Sequence, residues 1–153
     1  MAGRERAVAG QTGGPGVSAA EDLTTELNAR IDTIEEAYEY FLAYASQGLP
    51  SDTGSDTGRQ ARQQLQRCDT ALSGLAGVFT RYVEQEKLLP TAPYDAFIAV
   101  IERDARDSQA AIQLVLAQPS ISSQVVDNLN ASIHLRALLT DLFLIDEVLK
   151  GPR

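Results

Sequence analysis

Of the 153 residues, one is histidine, one is cysteine and none is tryptophan. Each scarcity removes a class of chemistry. A single thiol, Cys68, cannot close an internal disulfide, so the fold owes nothing to an oxidising compartment. Zinc sites draw on several Cys or His ligands and c-type haem on Cys-x-x-Cys-His, and the sequence holds neither set. Di-metal carboxylate bundles use Glu-x-x-His on two helices, yet Ala131 stands three residues before His134. A Ser/His/Asp triad would have to recruit His134, and no nucleophile-elbow pattern accompanies it. The expectation is therefore no metal, no cofactor and no catalytic residue. His134 falls close to an apolar helix face and is expected in the core or at its boundary. Cys68 is expected to be buried as a small hydrophobe.

Basic residues are also in deficit: 13 Lys and Arg stand against 21 Asp and Glu, for a net charge of −8 and a pI near 4.6. Such a balance repels phosphate backbones and anionic lipid, so nucleic acid and membrane surfaces are not expected partners. A basic protein surface would be attracted. No apolar run approaches the roughly 18 to 20 residues of a membrane span. Residues 1–17 carry Arg4 and Arg6 and then glycines, without the apolar stretch of roughly 7 to 15 residues that a secretory signal requires. A cytoplasmic location follows as the expectation. The same residues lack large apolar side chains to offset the entropy of ordering and are expected to form a disordered tail.

What the chain does have is four stretches with apolar residues at alternating three- and four-residue steps. In the first these are Leu27, Ile31, Ile34, Tyr38, Phe41 and Ala45, a heptad seam. Ser18 and Glu21 have the form of a capping box, and Gly48 with Pro50 marks the end of that helix. The second seam is Ala61, Leu65, Cys68, Leu72, Leu75, Phe79 and Tyr82. Gly74 and Gly77 are expected there to permit close helix approach. The third seam, behind an N-cap at Thr91 and a first-turn Pro93, is Tyr94, Ile98, Ile101, Ala105, Ser108, Ile112 and Val115. Leu135, Leu138, Leu142, Ile145 and Leu149 make the fourth. The spacing predicts helices over about 19–47, 58–89, 92–118 and 122–150. Short links between the last three force antiparallel neighbours, so the expected fold is all-α: an antiparallel up-down four-helix bundle over 18–150. The repeat SDTGSDTG at 51–58 reads as a plain flexible connection.

The stretch Leu27-Asn28-Ala29-Arg30-Ile31-Asp32-Thr33-Ile34-Glu35 resembles the opening of the all-helical chorismate mutases. The resemblance covers nine residues, and Asn28 stands where that family has its substrate-binding arginine. After Arg30 no Arg or Lys occurs until Arg59. A dianionic substrate would lack its counter-charges, so the activity is not expected here.

Two surfaces depart from a plain bundle. On the first helix Asp32, Glu36 and Glu39 share a flank, with Tyr40 and Tyr44 beside them. Acidic pairs four residues apart repel by about 0.2 to 0.5 kcal/mol each, and tyrosine recurs at interfaces. On the last helix Leu139 and Phe143 project to one side of the seam and Leu144 and Val148 to the other. Its final turns are thus apolar nearly all round and call for a covering partner. These nine residues are the expected partner-binding set. The expected function is a non-enzymatic accessory or adaptor protein that binds another protein through helix surfaces, the partner offering a basic or apolar docking surface. A homo-oligomer through the C-terminal helix is a further expectation. The alternatives are a structural subunit of a larger complex, or a small-molecule-binding or enzymatic bundle using Arg103, Arg106, His134 and Arg136 inside the core.

Overall fold

The computed structural model describes residues 15–151, with side chains from residue 21 onward. Of the tail expected over 1–17, residues 1–14 lie outside the described residues. The chain forms α1 (Pro15–Ala45), α2 (Asp56–Leu72), α3 (Leu75–Gln85), α4 (Thr91–Leu116), α5 (Ser123–Ala131) and α6 (His134–Lys150). No strand occurs among the described residues, and the fold is all-α. Helix α1 begins at Pro15, four residues before the expected start at about 19, and so takes in the last three residues of the expected tail.

Two of the four expected rods are broken. The second divides into α2 and α3 at Gly74, whose φ of 75° is left-handed and ends the run of helical hydrogen bonds. No neighbour lies within 4 Å of a Cβ built there, so this glycine supplies a bend rather than the close helix approach expected of it. The fourth divides into α5 and α6 at Ile133, which holds φ 65° although it is β-branched. His134 thereby becomes the first residue of α6 and is exposed, which corrects the core or boundary placement.

Helix α1 packs on one side against α2 and α3 and on the other against α5 and α6. Helix α4 closes the ring by contacting the same two pairs. Direction alternates where the ends meet. Tyr44, near the end of α1, hydrogen-bonds Ile121 just before α5, and Arg62, early in α2, reaches the carbonyls of Leu116 and Gln118 at the end of α4. The seams face inward: Leu27, Ile34, Phe41, Leu65, Cys68, Leu72, Leu75, Phe79, Ile98, Ile101, Ile112, Leu135, Leu138, Leu142 and Ile145 are all buried.

The SDTGSDTG segment is an ordered clasp, not a plain flexible link. Asp52 is buried; its carboxylate accepts from the Ile121 amide at 2.6 Å and from Arg62 Nε at 3.0 Å. Burial opposes its ionisation, but these donors outweigh that cost and hold the carboxyl below its ordinary 3.8. Gly58 is required because a Cβ there would collide with the Asp52 carbonyl group. Ser123 completes the clasp: its hydroxyl donates to the Tyr44 carbonyl at 2.7 Å and accepts from the Leu49 amide at 2.9 Å. We call this end of the bundle the upper end.

Candidate protein-binding surface

The acidic flank expected on α1 is only partly a surface. Asp32, Glu36 and Glu39 are exposed, and Glu36 faces Arg67 of α2 at 3.9 Å. The two tyrosines turn inward. Tyr44 is 0% exposed and donates its hydroxyl to the Ile121 carbonyl at 2.8 Å. Half-buried Tyr40 donates to the Thr57 carbonyl at 2.7 Å, and the two rings stack with centroids 6.5 Å apart. Tyr44 is therefore a core residue, not a docking residue. The physical reason is that α1 has neighbours on both sides, so its buried face is wider than a heptad seam.

Arg30, in the nine-residue stretch noted above, likewise has a structural task. It pairs with Glu26 at 3.0 Å and donates to the carbonyls of Ala71 and Ser73, capping the end of α2.

On α6 the division is sharper. Leu139 is buried and belongs to the core, which corrects its placement on the docking surface. Phe143, Leu144 and Val148 are 55%, 54% and 47% exposed, as a surplus of apolar groups outside the seam requires. Leu144 and Val148 do not stand alone. With Ile145 they form one wall of a groove of about 350 Å³ whose other wall is Leu89, Pro90, Pro93, Tyr94 and Phe97.

This second wall was missed in the sequence. It arises because the chain turns at Leu88-Leu89-Pro90, burying Leu88 and leaving Leu89 79% exposed at the lower end of the bundle. The signal available was the pair of leucines before a proline, together with Phe97 lying off the α4 seam.

Two acids stand one turn above Leu144, beyond the residues that line the groove. Asp141 lies three and four residues before Leu144 and Ile145, one turn along the same face of α6. Asp104, on the face of α4 that carries Phe97, is set against it. Burial, then a hydrogen bond to the Asp104 carboxyl, then the charge of Asp104 push Asp141 up from 3.8 to about 7. Asp141 Oδ2 is out of water with no donor. Among the described residues no Lys, Arg or His lies within ion-pair distance of either acid.

On the opposite flank of α6, Phe143, Leu139, Thr140 and Arg136 share a smaller hollow with Glu35, Tyr38 and Glu39 of α1. Burial and the charges of Asp32, Glu39 and Asp146 raise Glu35. A broader hollow between α1 and α2 is shallow, and Arg30 projects into it. Arg103, Arg106 and Arg136 are exposed, as His134 is, so the residues named for a core ligand site do not converge inside. Cys68 is fully buried, and burial followed by the charge of Asp69 pushes its thiol up to about 12. Among the described residues no three His, Cys, Asp or Glu side chains gather as a metal site. No described helix is long and apolar enough to cross a membrane. No family model, no curated protein and no solved structure matches the chain.

Proposed function

We propose that this chain is a non-enzymatic helical accessory or adaptor protein of the cytoplasm that binds another protein through helix surfaces, with the α4/α6 groove as its principal docking site. One observation carries the reading: Leu89, Leu144 and Val148 are exposed and share a single groove, while the seams of the same helices are buried. Large side chains scattered singly over a surface are ordinary; several gathered around a concavity favour a covering partner. Burying one fully is worth about 1.5 to 3 kcal/mol. Against catalysis stand the single thiol, buried and held protonated, and the single histidine, exposed at a helix start. Asp32, Glu36 and Glu39 would add attraction for a basic partner from the α1 side.

A photo-crosslinking side chain placed at Leu144 or Val148 tests this in extract of the native host. The control is the same group at Leu114, which is 67% exposed but lies outside the groove. A protein adduct formed from positions 144 and 148, absent from 114, and removed by Leu89→Asp is the expected result. Identical adducts at all three positions, or none, would remove the groove as a docking site. An adduct between two copies of this chain would instead identify a homo-oligomer through α6.

A further inference from the structure

Beyond the lining of the apolar groove, the helical register of α4 and α6 carries on to the two acids. On α6 the stripe reads Asp141, Leu144, Ile145, Val148, at steps of three, one and three. On α4 it reads Phe97, Ile101, Asp104, at steps of four and three. Each set occupies one side of its helix. From Val148 to Asp141 the seam runs about 10 Å at 1.5 Å per residue, two turns of a helix laid alongside it. We infer that the groove takes one helical segment of a partner protein, whose apolar face lies on Leu89, Phe97, Leu144 and Val148 while an arginine or lysine one turn beyond pairs with Asp104 and Asp141. This rests on the protein-binding reading of the groove and names the chemistry of its occupant.

Three observations select that chemistry. The walls are apolar and the cavity of about 350 Å³ has room for several aliphatic side chains. One turn above Leu144 the carboxyl groups of Asp104 and Asp141 meet, and among the described residues no Lys, Arg or His lies within ion-pair distance of either. An incoming cation supplies what the site lacks, and the forked guanidinium of arginine suits two neighbouring carboxylates best. The whole chain carries a charge of −8, which favours approach of a basic segment.

A shared proton is the cation's competitor. Unliganded, the pair keeps one proton to neutral pH, and a bound cation displaces it, so binding strengthens as pH rises. Of the elements packed on α6, α4 sets Asp104 against the carboxyl. Helix α1 sets Glu35 and Glu39 against the opposite flank beside Arg136, and His134 lies two turns back on α6 itself.

The experiment is selection from a displayed library of helical peptides of about five turns on the intact chain, followed by titration of one selected peptide. Enriched sequences are expected to carry apolar residues at i, i+3 or i+4, and i+7, with Arg or Lys three or four positions beyond either end. Changing that base to glutamine should weaken binding about tenfold to the wild-type chain. It should change nothing on the double variant Asp104→Asn/Asp141→Asn. Binding of the basic peptide should strengthen between about pH 5.5 and pH 8 on the wild type only. Peptides that lose binding with Leu144→Asp yet show no basic position would overturn the carboxylate pairing and leave the docking groove standing. Peptides indifferent to Leu144→Asp, or no binders, would overturn both. A dimer dispersed by Leu144→Asp in sedimentation would make a second copy the occupant and overturn the partner helix. Leu144 is exposed, so melting by circular dichroism should find that variant folded as the wild type.

Discussion

Replacing Asp141 by asparagine should stabilise the protein, and only where the acid is ionised. The folded state holds a proton on Asp141 that the unfolded chain releases, because its carboxyl stands near 7 instead of 3.8. Folding therefore takes up a proton between those values, and stability falls as pH rises through them. Below the ordinary carboxylate range the penalty is absent; above neutrality it is complete. At about 1.36 kcal/mol per pH unit the displacement sets a ceiling of roughly 4 kcal/mol. Solvent reaches this half-buried group and screens it, which leaves an expected penalty of roughly 1 to 2 kcal/mol. Asparagine carries no charge, matches the shape, and can donate its amide to the Asp104 carboxylate. Urea unfolding at about pH 8 should thus move to a midpoint about 0.5 to 1 M higher in Asp141→Asn, for a slope of roughly 2 kcal/mol per M. At about pH 3 the two curves should nearly coincide. A variant no more stable than wild type at pH 8 would refute the carboxyl pairing. An equal gain at both pH values would assign the effect to packing.

Two further outcomes follow from the other buried ionisable groups. Asp52→Ala strands the Ile121 amide and the Arg62 guanidinium, and should cost about 2 to 4 kcal/mol at neutral pH. Because the Asp52 carboxyl is held below its ordinary value, its contribution is complete above about pH 4 and lost as pH falls through its folded value. The gap between variant and wild type in thermal melts should therefore narrow toward pH 3. Cys68, fully buried and with its thiol pushed to about 12, should react with an aromatic disulfide at least about a thousandfold more slowly in the folded protein than in urea. Rapid labelling of the native chain would contradict its burial.

The inward seams were legible because a helix repeats its faces at fixed spacing: Leu65, Cys68, Leu72, Leu75 and Phe79 were read along one line and are all buried. The line even survives the break at Gly74, where the glycine was legible as a weak point but not as a left-handed bend. The break at Ile133 had no comparable signal, since a β-branched residue is among the least suited to positive φ. How much of a helix is covered was not legible either. Tyr44 and Leu139 lie one position outside their seams, and only the placement of two neighbours decides that they are core. Leu144 and Val148 also lie outside the seam, on the side left open, and are exposed. The meeting of Asp104 with Asp141 depends on the register of α4 against α6, a quantity no single helix records.

The contacts around Asp52 and Ser123 join residues far apart along the chain: Asp52 with Ile121, and Tyr44 with Ser123. They act as a pivot pin, tying the first hairpin of rods to the second at one extremity. The α4/α6 groove lies at the opposite extremity and between two helices of the second hairpin, so the pin does not cross it.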